Sequence, residues 1–318
     1  MWFWLAIIAL LCWSGSDLFS KIGCSDEKDK YAHLRMVIAV GSIMGLHALH
    51  EIIFGGVSIT PSVLLDYLPV SLLYILSMIL GYVGLRYIEL SISSPICNSS
   101  GAIVSVLCLI MGMTSSIDGW QIAAIVLVCV GVIGLGIVEA NEDEELRARR
   151  QEKANRKYAK SWLALCLPLA YCLLDALGSF MDTLVLADFD EDTVIPSFLK
   201  VFVKGLNEDS ANVAYELTFF VAAIGCLIFL WAKNDLQRPK QARPRFIGGL
   251  FETAGQFAYI YAIADTKHVA LSAPIISAYC VASVVWSRIF LKEKLSWKHY
   301  LAIVSVAMGI VIMGIYDA

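Results

Sequence analysis

Two aspartates occupy positions where a carboxylate is seldom kept without a task. Asp17 closes the run WLAIIALLCWSGSD, residues 4 to 17, and Asp175 closes WLALCLPLAYCLLD, residues 162 to 175, each thirteen residues after a tryptophan. An ionised carboxylate at the centre of a bilayer costs roughly 3 kcal/mol or more, so a retained one has a partner or a function. Two such acids can pair an ammonium group, or take up and release a proton. Other polar and aromatic residues fall inside apolar stretches: Trp13, Tyr82, Asn98, Tyr171, Glu252, Gln256, Tyr259, Tyr261 and Tyr279. Acids and aromatic faces dominate, an inventory that suits a cation. Glu252, Gln256 and Tyr259 follow i, i+4, i+7 spacing and share one helix face. Packing or an interfacial belt is the plainer explanation for each Tyr and Trp. Asp182 and Glu216 are expected to meet water at a membrane face, and the basic residues Arg86, Lys267 and Arg288 fall near the ends of apolar stretches.

Enzymatic chemistry finds little support. There is no Walker A, GxGxxG, HExxH or GxSxG motif, and the five histidines are scattered near the ends of apolar stretches. The nine cysteines form no CxxC pair and read as small buried hydrophobes. No metal, cofactor or nucleic acid is expected. Asn98-Ser99-Ser100 has the form of a glycosylation site, but its place inside an apolar stretch argues against modification.

The elements that must position these residues are membrane spans. Of 318 residues 58% are hydrophobic and 16% charged, and the mean hydropathy is +0.72; globular chains carry about 25% charge. MWFW lacks a basic leader and no small-residue cleavage site follows, so the first apolar run is read as a span, not a signal peptide. The fold class expected is an all-α membrane protein with ten transmembrane helices, near 2–22, 34–54, 63–85, 92–112, 119–138, 161–182, 213–232, 246–264, 269–290 and 297–315. A charged linker, 141–160, separates 1–140 from 161–318; its Glu145–Arg149 and Glu152–Arg156 spacings fit a short solvated helix. The loops after odd-numbered spans hold 21 of the 24 Lys and Arg. By the positive-inside rule the linker is cytoplasmic and both termini lie outside. The segment after the sixth span joins the acids Asp188, Asp190, Glu191 and Asp192 to an apolar piece around Phe198, Val201, Phe202 and Leu206, which predicts an interfacial helix or lid. It is no EF-hand, because Thr193 stands where the loop needs Gly and Leu199 where it needs Glu.

The two halves resemble each other. The Trp4–Asp17 and Trp162–Asp175 runs align without gaps, SSPI at 93–96 matches SAPI at 272–275, AIV at 124–126 matches AIV at 302–304, and Gly131 and Gly136 match Gly309 and Gly314. Five spans per copy is an odd number, so the second copy enters from the opposite side and the repeats are inverted. Thirteen residues of helix span roughly 20 Å of a core about 30 Å thick, which puts the two acids some 5 Å either side of the midplane. Lys21 stands one turn after Asp17 as a partner or a snorkelling cation. Pro95 and Pro274 are read as first-turn prolines. Arg86 with Glu89, and Asp265 with His268, occupy corresponding loops and are candidate gate ion pairs. Ala254, Ala258 and Ala262 at four-residue spacing predict a close-packing helix face.

At this point the chain is similar to the drug/metabolite transporters, in particular the EamA-like ten-helix branch, in span pattern over nearly its whole length. LKEKLSWKHYLAIVSVAMGIVIMGI, residues 291–315, resembles the end-of-repeat motif through Glu293, Leu295, Ser296, Gly309 and Gly314. CWSGSDLFSKIG resembles the first-helix motif through Trp13 and Phe19, with Gly and Ser transposed and Asp17 unusual; HLRMVIA resembles the second-helix motif through Arg35, with Met36 for Phe. Thr114 stands where the second repeat has Glu293. The resemblance implies secondary transport of a small metabolite by alternating access. With the acids of the spans, the expectation becomes a plasma-membrane carrier of a small amine-bearing or zwitterionic substrate, linked to protons. An anion or nucleotide-sugar exchanger is the alternative within the class, and would need Lys21, Arg35, Arg86, Lys267 and Arg288 to face inward. A membrane binding or scaffold protein that does not transport is the alternative outside it.

Overall fold

No water serves the backbone inside a bilayer, so an apolar segment must close its hydrogen bonds within itself, as a helix does. The computed structural model describes residues 1–26, 29–87, 90–111, 118–140, 162–187, 196–236, 239–265, 267–292 and 295–317, and every regular element among them is helical. In order these are α1 (Trp2–Cys24), α2 (Ala32–Ile53), α3 (Pro61–Tyr87), α4 (Leu90–Cys97), α5 (Ser100–Ile110), α6 (Gly119–Ala140), α7 (Trp162–Leu186), α8 (Glu208–Ala232), α9 (Pro239–Ala264), α10 (Val269–Ser277), α11 (Tyr279–Trp286) and α12 (Trp297–Asp317). Among the described residues eight stretches are long and apolar enough to cross a membrane. The chain is an all-α, multi-pass membrane protein. Of the expected spans, 119–138 appears as a shorter apolar stretch, Gly119–Leu135, and 246–264 falls outside the eight because Glu252, Gln256, three glycines and two tyrosines dilute its apolar run.

Local sequence explains several boundaries. Asn207 caps α8, its Oδ1 accepting from the amides of Asp209 and Ser210 at 3.0 and 3.4 Å, and Glu208 and Asp209 place negative charge in the first turn, where the helix dipole favours it. Exposed Trp4, Trp120, Trp231 and Trp297 stand near helix ends, as interfacial tryptophans do.

The expected spans 92–112 and 269–290 are not single helices. The first breaks at Asn98–Ser99, between α4 and α5; the second breaks at Ala278, between α10 and α11, and ends in a π turn, Ser287–Leu291. The prolines are not in the first turn either. Pro95 and Pro274 are the sixth residues of α4 and α10, where the ring removes the donor that the carbonyl four residues back would use. At Ala270 that carbonyl is served by the Ser105 hydroxyl, at 3.2 Å. After α7 the described part of the expected lid, residues 196–206, forms only a single 3₁₀ turn, Lys200–Phe202, with Phe198 and Val201 exposed. The acidic cluster 188–192 and the linker 141–160 lie outside the described residues.

The broadest helix interfaces join the first half of the chain to the second: α1 with α9, α2 with α8 and α9, α3 with α7, and α6 with α12, with α5 against α10 beside them. Small residues permit this approach. A Cβ on Gly131 would lie 2.5 Å from Val306 Cγ2 and 2.9 Å from the Ala302 carbonyl; one on Gly309 would lie 2.6 Å from Val128 Cγ2 and 2.8 Å from the Ala124 carbonyl. The two contacts are reciprocal. The alanine face expected on α9 is narrower than its spacing suggested, since Ala258 and Ala262 are buried but Ala254 is exposed. On that helix Gly255 makes the closest approach, with the Trp13 indole packed against its backbone.

Candidate functional site

Where the halves meet, the helices enclose a cavity of about 90 Å³, several times the space that one water needs. Trp13, Asp17, Tyr82, Asn98, Tyr171, Asp175, Glu252, Gln256, Tyr259 and Tyr279 all line it. Residues more than 260 positions apart in sequence are thus brought to one chamber by α1, α3, α5, α7, α9 and α11 and the turn after α4.

Each carboxylate is held by a hydroxyl from another helix. Asp17 on α1 accepts from Ser94 on α4 and, at 2.8 Å, from Ser283 on α11. Asp175 on α7 accepts from Ser100 on α5 at 2.7 Å, and Glu252 on α9 from Ser16 on α1 at 2.7 Å. Among the described residues that line the cavity there is no Lys, Arg or His. The neutral serines orient the acids and leave their charge uncompensated. Trp13 forms an aromatic corner with Tyr259, centroids 5.0 Å apart, and with Tyr279 at 5.8 Å, edge to face. Asn98 sits in the break between half-helices, its Nδ2 donating to the Ser94 carbonyl at 2.7 Å. Three other buried donors, Trp13 Nε1, the Tyr82 hydroxyl and Gln256 Nε2, have no hydrogen-bond partner among the described residues.

Three expectations are corrected. Asp182 and Glu216 do not meet water at a membrane face: both are 0% exposed. The Tyr67 hydroxyl donates to Asp182 at 2.7 Å, and the Tyr74 hydroxyl lies 3.3 Å from its other oxygen, 3.1 Å from Ser179 Oγ and against the Tyr259 hydroxyl. This chain of hydroxyls runs from the buried acid to the cavity wall. Glu216 has both oxygens 2.9 Å from His47 Nδ1 and accepts from Asn212 at 3.2 Å. Tyr261 is not a lining residue; its hydroxyl donates to Asp209.

Of the candidate gate residues, Arg86 lies in the last turn of α3, while Asp265 and His268 lie between α9 and α10. Asp265 and His268 pair with each other at 2.8 Å, and the His268 ring stacks on Trp2. Arg86 donates to the carbonyl of Lys30 in the α1–α2 loop, and Glu89 lies outside the described residues. Lys21 donates to the Leu85 carbonyl at 2.8 Å, while Asp17 takes its hydrogen bonds from serines. Near that end of the bundle, Asp29 bridges two buried guanidiniums, Arg35 and Arg245; Arg35 also meets Asp235 at 2.6 Å, and Arg245 Nε donates to the Gly23 carbonyl at 2.8 Å. The sequence reading passed over this network, over Ser16, Ser100 and Ser283, and over Ser94 as a partner of Asp17. Asp29 offered no signal, and the serines offered only their place within apolar runs.

Fold and site together define a multi-span helical membrane protein built around an acidic, aromatic chamber between its two halves. Residues 195–315, which carry Glu252, Gln256, Tyr259 and Tyr279, match the model of the EamA-like transporter family, within the drug/metabolite transporter superfamily. A solved crystal structure of a protein 12% identical in sequence superposes with a TM-score of 0.62, covering 98% of this chain and 96% of the other, which is likeness of fold. No curated protein sequence matches the chain.

Proposed function

We propose that the chain is a secondary carrier that moves a small amine-bearing or zwitterionic metabolite across the membrane by alternating access, with protons as the coupling ion. One observation carries this reading: Asp17, Asp175 and Glu252 line a single cavity together with aromatic faces and, among the described residues, without a basic one. An ammonium group supplies the missing countercharge and is attracted by the rings. A proton can supply it instead, so substrate and proton compete for the same acids, which is the requirement for exchange.

The architecture we assign is ten spans in two inverted repeats, 1–140 and 161–318. Its support is the reciprocal seating of Gly131 and Gly309 under each other's valines, the helix breaks that follow Pro95 and Pro274, and the exchange of partners in α1–α9 and α3–α7. Cavities between inverted repeats are where such carriers bind substrate. The anion alternative draws less support, since Arg35 is held by Asp29 and Asp235. We place the protein in the plasma membrane, with its linker in the cytoplasm.

Counterflow in proteoliposomes tests the proposal. Vesicles preloaded with an unlabelled small amine should accumulate the labelled amine transiently, and acidifying one side should drive net flux. Counterflow of a sugar phosphate without counterflow of any amine or amino acid would refute the assignment.

A further inference from the structure

The transport reading leaves one buried acid idle, Asp182. It is fully buried and is not among the residues lining the chamber, whereas Tyr74, Ser179 and Tyr259 are. Asp175, Ser179 and Asp182 follow i, i+4, i+7 spacing and share one face of α7. The Tyr67 hydroxyl donates to Asp182 Oδ1 at 2.7 Å; the Tyr74 hydroxyl lies 3.3 Å from Oδ2, 3.1 Å from Ser179 Oγ and against the Tyr259 hydroxyl. Asp175 in turn acts electrostatically on the Tyr74 and Tyr259 hydroxyls. A hydroxyl both donates and accepts, so this line can pass a proton without opening a path for water. It belongs to one half of the chain: carried on without a gap, the Trp4 and Trp162 alignment puts Lys21 opposite Ser179 and Cys24 opposite Asp182.

Among the described residues no cation forms an ion pair with Asp182. Of the helices packed on α7, α4 and α5 carry no charged residue and only the Cys97 and Cys108 thiols to titrate. From α3 and α9 come Tyr67, Tyr74 and Tyr259, with Tyr215 of α8 behind Tyr74, centroids 5.8 Å apart, and Glu252 of α9 in the chamber. The segment 196–206 holds an exposed Lys200 and Lys204, the latter 2.9 Å from Asp66 of α3. A carboxyl buried without a countercharge keeps its proton, since ionising it there is costly. A positive charge brought near favours the ionised form, and a dry interior screens that attraction less than water does. Resting on the transport reading above, we propose that Asp182 is a proton site of the transport cycle that does not touch the substrate, protonated while the chamber is empty and deprotonated when an ammonium group enters. The Asp182 proton passes to the Tyr74 oxygen as the Tyr74 hydroxyl proton passes to Tyr259 or Ser179, and that hydroxyl gives its own proton to water in the chamber. Only O–H bonds break and form, and the charge left on Asp182 is held by the Tyr67 and Tyr74 hydroxyls. Amine and proton are thus exchanged through a charge felt at a distance, in addition to their competition for the chamber acids.

Propylammonium is the probe, because it stays protonated near neutral pH as a lysine side chain does. Its binding to the purified full-length protein is read from the concentration dependence of the thermal unfolding midpoint, and proton release from a pH-indicator dye in weakly buffered solution. The wild-type protein should release protons on binding. Asp182→Asn keeps an oxygen for Tyr67 but cannot ionise; it should still bind the amine and release fewer protons, by up to about one per amine. Tyr74→Phe and Tyr67→Phe each take one hydroxyl from Asp182, but only the first interrupts the line to the chamber. Release followed by stopped flow should therefore slow severalfold in Tyr74→Phe and keep its rate in Tyr67→Phe, and this pair decides the matter should Asp182→Asn fail to fold. Amine binding without proton release in the wild type, undiminished release or lost amine binding in folded Asp182→Asn, or equal release rates in the two tyrosine variants would each overturn the inference while leaving an amine carrier in place. Absence of propylammonium binding to the wild-type protein would overturn the inference and the amine reading together.

Discussion

Gly101 offers a direct test of how closely the half-helices are packed. It faces α10 at the crossing of α5 and α10, and a Cβ there would lie 2.0 Å from Ser277 Oγ, 2.5 Å from Ser277 Cβ and 2.7 Å from the carbonyl oxygen of Ala273. Ordinary contact between such atoms begins near 3.5 Å. The serine hydroxyl can rotate away, but the Ala273 carbonyl belongs to a helix backbone, so Gly101→Ala must push the two helices apart by roughly 1 Å. Inserting one methyl into a filled site costs about 1 to 3 kcal/mol. Against this stands the gain of about 1 kcal/mol when Ala replaces Gly inside a helix. Gly134 on α6 supplies the control, because a Cβ there meets nothing within 4 Å. Gly134→Ala should therefore hold or raise the thermal unfolding midpoint in detergent, while Gly101→Ala lowers it, the two differing by about 1 to 3 kcal/mol. Adding Ser277→Gly to Gly101→Ala removes two of the three close contacts and should recover part of the loss, the remainder reporting the carbonyl. Equal stabilisation by Gly101→Ala and Gly134→Ala would refute the packing argument.

Further outcomes concern the acids and the orientation. Asp17→Asn and Asp175→Asn keep an oxygen that can accept from Ser94, Ser283 and Ser100, so both should fold yet lose gradient-driven accumulation; transport measured from about pH 5.5 to 8 with a wild-type profile in both variants would remove these residues from the cycle. Single cysteines placed at 141–160 in a cysteine-free variant should resist an impermeant maleimide in intact cells, and ready labelling would reverse the assigned orientation.

Much of the chamber was legible because carboxylates and amides are conspicuous in apolar runs, and because the i, i+4, i+7 rule put Glu252, Gln256 and Tyr259 on one face before any neighbour was known. What was illegible depended on neighbours. Asp182 stands near the end of an expected span, so a water-facing position followed from counting; the tyrosines that cover it, Tyr67 and Tyr74, come from α3, more than 100 residues earlier. Glu216 was misjudged in the same way, since His47 closes over it from α2. Pro95 and Pro274 were visible, but their effect was not, because an interior proline can be tolerated only if something serves the released carbonyl. Ser105 does this for Ala270 across an interface between α5 and α10 that sequence spacing does not reveal.

The interleaving of the two halves also governs how the protein is made. Chains fold from the N-terminus as they are synthesised, so α1 to α6 are present before any of α7 to α12 exists. In that interval Gly131 has no Val306 to seat, Asp17 has Ser94 but not yet Ser283, and Arg35 has Asp29 but not yet Asp235. The newborn first half carries buried charge and open helix grooves whose partners are still in the ribosome. A change that removes Ser283 from α11, Val306 from α12 or Asp235 from the segment after α8 leaves the first half with those same partners missing even after synthesis is complete.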